Sequence, residues 1–284
     1  MFIAFLRLVI LSLTLIEVAT AADQTLTLSR DKNWVVVSGR HLPGGEVRIN
    51  YIESYCRAGS TDVDWAQTKI PHRSEQTAIA DNHQVLQIRD TLADGVVIDH
   101  TIGIRDDTVT FRVSAHNPTV VASAVHWAQP CVRLGTFTGF NPDYTIGNPD
   151  DYLPRCFLFL EHQLTRMPTP MWNTAARYMP GQVWCPATVP RTDVNPRPLN
   201  PQVPSNGLIG CFSADDKLIA AIAWEPYQEL FQGVGRCLHA DFRIGGLAPG
   251  ETKTARGTLY LVTNDVDALL RRYANDFPEH ASIR

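Results

Sequence analysis

The chain has 284 residues, 44% of them hydrophobic and 19% charged, with a net charge of −4. That much apolar material builds a sizeable core and excludes intrinsic disorder. The slightly acidic balance, with no basic block, excludes nucleic acid as the expected partner. In chain order, residues 1–21 come first and read as a cleaved export signal. Arg7 precedes the apolar run Leu8–Ile16, and Ala19-Thr20-Ala21 supplies the small residues of a signal-peptidase site. The run falls short of the roughly 20 residues that span a bilayer, and Glu17 interrupts it. Residues 22–284 are therefore expected in a periplasmic or extracellular space, as one domain with no membrane association. Six cysteines follow, at 56, 131, 156, 185, 211 and 237, with no CxxC and no zinc-module spacing. An oxidising compartment permits disulfides, and pairing and free burial both stay open.

Most of the remaining chain alternates at period two, the strand signal. Trp34–Val37 opens the series. Val47, Ile49 and Tyr51 share a face of Glu46–Tyr55, and Leu86 and Ile88 alternate in Gln84–Arg89. Val96, Ile98, His100, Ile102 and Ile104 share another face, Arg105-Asp106-Asp107 turns the chain, and Val109, Phe111 and Val113 return as a hairpin partner. His100, on an apolar face, is expected to be a buried, hydrogen-bonded core residue. Val120–Trp127, Cys156–Leu160, Leu208–Ser213, Leu218–Trp224 and Thr258–Val262 complete roughly ten to twelve strands, with Ala214–Lys217 as a second turn. One segment is helical: Asn264 serves as N-cap for Val266, Leu269, Leu270 and Tyr273, and the helix is expected on a sheet edge. The fold class is all-β with one short C-terminal helix.

Residues 141–206 hold twelve of the nineteen prolines, together with Trp172 and Trp184. Proline removes ladder donors, so this insertion is not mostly central sheet. A long aromatic-bearing loop suits function, and Trp172 and Trp184 are candidate platforms that stack on a sugar face.

No GxSxG, HExxH, P-loop or strand-following GxGxxG occurs, which disfavours a serine hydrolase, a zincin, an NTPase and a dinucleotide enzyme. Two segments remain. One reads Ala221-Ile222-Ala223-Trp224-Glu225-Pro226-Tyr227-Gln228, continues through Cys237-Leu238-His239, and reaches Pro249-Gly250-Glu251 before Gly257–Tyr260. The other is Val109–Trp127, with Asn117 and then His126-Trp127. Together they resemble the aldose 1-epimerases (galactose mutarotases) and their wider superfamily, in order and spacing over residues 46–262. The Asn-His-x-His-Gly and Thr-Asn-His-Ser-Tyr-Phe patterns of that family are missing, and the proline-rich insertion has no counterpart there. The resemblance implies a β-supersandwich, a carbohydrate ligand, and a catalytic pair that falls on Glu225 and His126. It also sets Ile70-Pro71-His72-Arg73 where such proteins place a sugar-binding histidine or arginine.

Opening a sugar hemiacetal needs a base for the anomeric hydroxyl and an acid for the ring oxygen. Glu225 is the expected base and His126 the expected acid. His72, Arg73, Arg133 and His239 are expected sugar contacts, beside Trp172 and Trp184. A polysaccharide lyase is the alternative, with Arg73 or Arg133 stabilising an enolate. Glycoside processing and a non-catalytic periplasmic sugar-binding role also stay open. No cofactor is expected. His126, His162, Glu225 and His239 could converge as metal ligands, but no ligand spacing demands a metal and none is expected.

Overall fold

The computed structural model describes residues 25–59, 63–140, 152–171, 182–194, 199–233 and 236–282. The expected export signal and Trp172 lie outside the described residues. Seventeen strands are described: β1 (Thr27–Asp31), β2 (Trp34–Ser38), β3 (Glu46–Arg57), β4 (Lys69–Ile70), β5 (His72–Ile79), β6 (Val85–Leu92), β7 (Val97–Arg105), β8 (Thr108–His116), β9 (Val125–Arg133), β10 (Cys156–Leu160), β11 (Gln163–Arg166), β12 (Val183–Trp184), β13 (Ile209–Phe212), β14 (Leu218–Glu225), β15 (Tyr227–Gly233), β16 (Cys237–Arg243) and β17 (Thr252–Thr263). Two helices accompany them, α1 (Trp65–Thr68) and α2 (Val266–Asp276). Sheet I runs β1-β2-β3-β9-β16-β15-β12, with β4 also on β3. Sheet II runs β11-β10-β13-β14-β17-β8-β7-β6-β5. The two form an all-β sandwich, and one apolar cluster between them takes Val35, Ile49 and Leu230 from sheet I and Ile98, Phe111 and Ile222 from sheet II.

Local chemistry explains the register. Arg105 pairs with Thr108 across the predicted turn, with Asp106 at φ 56°. Aspartate tolerates that left-handed conformation better than most residues. The second turn is held by Ser213, whose hydroxyl donates to Asp215 Oδ1 at 2.7 Å and accepts from the Leu218 amide at 3.0 Å. His100 is 1% exposed in the inter-sheet core, as expected from its apolar face. Its Nδ1 lies 2.9 Å from the Tyr51 hydroxyl and its Nε2 2.9 Å from the Tyr55 hydroxyl. Tyr55 also donates to buried Asp90 at 2.6 Å.

Three expectations are corrected. The strand predicted over Val120–Trp127 starts at Val125 and runs on to Arg133, leaving Val120 91% exposed. Pro130 disguises this strand. It sits where the β3–β9 register shifts, so its missing N–H removes no regular ladder bond. Helix α2 is capped by Asp265, which accepts from the Ala268 amide at 2.8 Å, while the Asn264 side chain ties back to the Asp216 carbonyl. The helix also covers a face rather than an edge. Leu269, Tyr273 and Phe277 bury against Ile219, Ala221, Ala223, Tyr260 and Val262 on the outer side of sheet II.

Two glycines take large rings across the ladder. Gly210 pairs with Phe157 and Gly257 with Trp224. A Cβ on Gly257 would lie 2.5 Å from the Trp224 ring, so the indole rests on bare backbone. Gly257→Ala is expected to cost about 1–3 kcal/mol through overpacking. A urea titration that shows an unchanged midpoint would contradict this packing.

Candidate functional site

Strand alternation separates two outer faces. On β14, Ala220, Ile222 and Trp224 point into the inter-sheet core, while Ile219, Ala221 and Ala223 face α2. Glu225 follows the second set and belongs to the outer face of sheet II. On β16, Leu238, Ala240 and Phe242 enter the core. Cys237, His239, Asp241 and Arg243 therefore occupy the outer face of sheet I. The segment with Cys185, Val189 and Val194 covers part of that face by packing on Phe231 of β15.

This covered face concentrates buried polar groups. Glu229 of β15 and Asp241 of β16 are direct cross-strand partners, and both are fully buried. Asp241 Oδ2 has no hydrogen-bond partner, an orphan that native interiors rarely leave without a reason. Its other oxygen lies 3.4 Å from His239 Nδ1, and the Gln129 side chain also interacts with this carboxyl. The His239 ring stacks on Phe231, with centroids 4.1 Å apart and planes 8° apart. Burial pushes Asp241 up to about 6, against the pull of His239. Burial opposes protonation of His239, but Cys237 and Asp241 outweigh it and raise the imidazole to about 10.

A second cluster adjoins it. The Arg243 guanidinium donates to Asp193 Oδ2 at 3.1 Å and to Gln228 Oε1 at 2.5 Å. The Gln228 amide donates to the Asp193 carbonyl. His126 Nδ1 lies 3.8 Å from the same Asp193 carboxylate, which is 3% exposed, while the imidazole remains 27% exposed. Partial burial, helped by the Arg243 and Lys253 cations, outweighs Asp193 and holds His126 below the ordinary 6.5. Backbone amides of Ile244 and Gly245 donate to the His126 carbonyl and fix its position.

The structure unites some expected site residues and separates others. His126 and His239 share the outer face of sheet I. His72 lines an adjoining groove of about 750 Å³ with Glu53, Ser54, Arg57, Gln67 and Lys69. Ser54 pairs with Gln129, so the groove abuts the Asp241 cluster. Partial burial, the largest influence, lowers the His72 pKa. Arg73 stands exposed on β5 of sheet II, paired with Thr91. Arg133 ends β9, its guanidinium 5.7 Å from the Trp34 ring centroid. Trp184 is not a sugar platform: it is fully buried in the inter-sheet core. Asn117 ties loops together, donating to the carbonyls of Val121 and Leu247.

Glu225 is the main separation. Its carboxylate accepts from, or pairs with, His280 Nε2 at 2.6 Å. It lines a groove of about 710 Å³ on sheet II with Asp99, Arg112, Arg256 and Glu279. It stands on the outer face of sheet II and His126 on that of sheet I, and among the described residues no hydrogen bond or ion pair joins the two. His162 sits in the β10–β11 turn with φ 61°, so the four-residue metal set His126, His162, Glu225 and His239 does not converge.

Glu229, Asp241, Asp193 and Arg243 are the residues that sequence reasoning missed. For two of them, Asp241 and Arg243, a signal was present. His239, Asp241 and Arg243 alternate with Leu238, Ala240 and Phe242, a half-polar strand of period two. Asp193 lies in the proline-rich insertion, where no periodicity marks it.

No protein-family model matches the chain, and no curated protein matches it in sequence. In fold it is similar to solved galactose mutarotase-like structures. A candidate aldose 1-epimerase from Escherichia coli K12 overlaps with a TM-score of 0.44 at 10% identity, covering 84% of this chain and 99% of that one. A galactose mutarotase related enzyme from Lactobacillus acidophilus gives 0.43 at 7% identity, covering 84% and 97%. A galactose mutarotase-like protein from Clostridium acetobutylicum gives 0.42 at 8% identity, covering 85% and 99%.

Proposed function

We propose that this chain is an exported protein that recognises a mono- or oligosaccharide on the outer face of sheet I and interconverts its anomers by acid–base chemistry. The observation that carries this reading is one pairing on one face. A partly exposed imidazole, His126, has the buried Asp193 carboxylate behind it. Along the same face stands a buried carboxyl pair with an orphaned oxygen, Asp241 Oδ2. Arg243 is in register with Trp127, and Asp241 lies two positions along the same strand. That step is about 7 Å, the scale of a pyranose ring.

The roles differ from those expected at first. His126, held below 6.5, is neutral near pH 7 and serves as base for the anomeric hydroxyl. Glu229 and Asp241 are buried cross-strand partners, and burial raises the Asp241 carboxyl to about 6. A proton carried by this carboxyl pair goes to the ring oxygen as the C1–O5 bond breaks and the carbonyl forms at C1. Rotation and the reverse transfers close the other anomer. Arg243 and Gln228 hold Asp193 in place, and the groove past Ser54 offers the sugar a path to the cluster.

Polarimetry of freshly dissolved hexoses tests this. Positioned acid–base groups contribute roughly 10²–10⁴-fold, so His126→Ala and Glu229→Gln are expected to lose exchange on that scale. Glu225→Ala is expected to retain it. Loss in Glu225→Ala with an active His126→Ala variant would move the chemistry to sheet II and overturn the reading. An ultraviolet-absorbing product from a uronate polysaccharide, without anomer exchange, would establish the lyase instead.

The pH dependence follows from the depressed imidazole. Its NMR titration is expected to centre below 6.5, with exchange lost as pH falls through that midpoint. Because the unfolded chain protonates near 6.5 first, this histidine also removes stability as pH falls from 6.5 towards its folded value. His126→Gln is expected to make the acid-side decline in thermal stability shallower. An unchanged decline would show that this imidazole is not depressed by folding.

A further inference from the structure

No ligand spacing in the sequence marks a metal site, yet the register of sheet I assembles one. His239 pairs with Cys131 across β16 and β9. Cys237 precedes His239 by two residues and so shares its face. The donor atoms of Cys131, Cys237 and His239 all lie within 4.8 Å of one another, and all three residues are buried. We propose that these three residues bind a thiophilic d10 cation, Zn2+, through two thiolates and His239 Nε2.

Distance, orientation and charge support it independently. Zinc–sulfur and zinc–nitrogen bonds of about 2.3 and 2.05 Å at a tetrahedral angle set their donors about 3.6 Å apart. Cys237 Sγ and His239 Nε2 are 3.5 Å apart. The other ring nitrogen faces Asp241 at 3.4 Å. That is the carboxylate–histidine–metal arrangement in which the carboxylate fixes the tautomer and leaves Nε2 as the ligand. Phe231, stacked on the ring, holds its plane. Two thiolates neutralise Zn2+, whereas Cu+ would leave an extra negative charge beside Asp241 in a dry setting, where unpaired charge is costly. On binding, each thiol proton passes to solvent. Three protein ligands leave a fourth position, as in zinc centres that take up water or a substrate oxygen. The sulfurs separate this site from a lone acid cluster, and its existence does not depend on the carbohydrate reading.

The test uses the full-length chain, reduced, equilibrated with Zn2+ and desalted. Elemental analysis is expected to find about one zinc per chain, falling to background in Cys131→Ser and Cys237→Ser. Asp241→Asn, one shell out, is expected to weaken binding roughly 10–100-fold. Should the serine variants fail to fold by circular dichroism, Co2+ on the unaltered chain decides. A near-ultraviolet thiolate-to-cobalt band with intense tetrahedral visible bands supports the site, and their absence overturns it. Three other results also overturn it: a Cys131–Cys237 disulfide with no zinc uptake after reduction, zinc retained without the two cysteines, or Cu+ preferred to Zn2+. Sugar binding is not read in this assay, so its failure leaves the carbohydrate proposal standing.

Discussion

The constraint on which the site depends is the desolvation of charge on one sheet face. Glu229, Asp241 and Asp193 are all buried. A carboxylate taken out of water costs several kcal/mol unless charges and hydrogen bonds compensate it. The surrounding residues supply that compensation. Arg243 meets Asp193, His239 meets Asp241, and Gln228 and Gln129 fill further bonding positions. Removing one partner would leave the other charge buried and alone, at roughly 3–5 kcal/mol. A core built for stability alone has no use for such a face, since apolar residues of similar volume do as well or better.

The two sheets divide the labour. Sheet II buries both of its sides over β14 and β17, against sheet I within and α2 without. Over these two strands its polar groups thin out to the rim, where Glu225 meets His280 and Arg256 meets Glu279. The Arg256–Glu279 pair is exposed on both sides, so solvent screens it and its contribution to stability is small. Sheet I buries apolar side chains inward and charged ones outward, partly under the described segment 182–194. The same alternation that makes a sandwich therefore makes a candidate site, once the outward face of a central strand is covered rather than solvated.

What the sequence showed and what it concealed divide along that line. Strands with one apolar and one solvated face, such as β6 to β8, announce themselves, and their turn at Asp106 follows from side-chain chemistry. The all-β class and the buried His100 follow from the same pattern. Strand β5 is almost wholly polar because it is an edge. Strands β15 and β16 carry polar groups on a face that is buried, so hydropathy alone misses them. The Glu225 assignment rested on a short match at the end of β14. Strand parity turns that carboxylate outward, onto the face it shares with α2, and a one-residue step in a strand exchanges faces. His126 escapes strict parity because the β3–β9 register shifts beside it, and its ring still reaches Asp193.

Asp241 connects the two proposals physically. One of its oxygens holds the His239 tautomer and the other has no partner. A cation on the far nitrogen of that imidazole would draw electron density along the ring and strengthen the Nδ1–H···Oδ1 bond. The free oxygen would then be held in a fixed direction rather than left to rotate, and fixed direction is what transfer to a reacting atom requires. In this arrangement the thiolates and the acid–base groups need not touch the same ligand. They would act through a single carboxylate anchored on one strand, with Phe231 setting the plane of the ring between them.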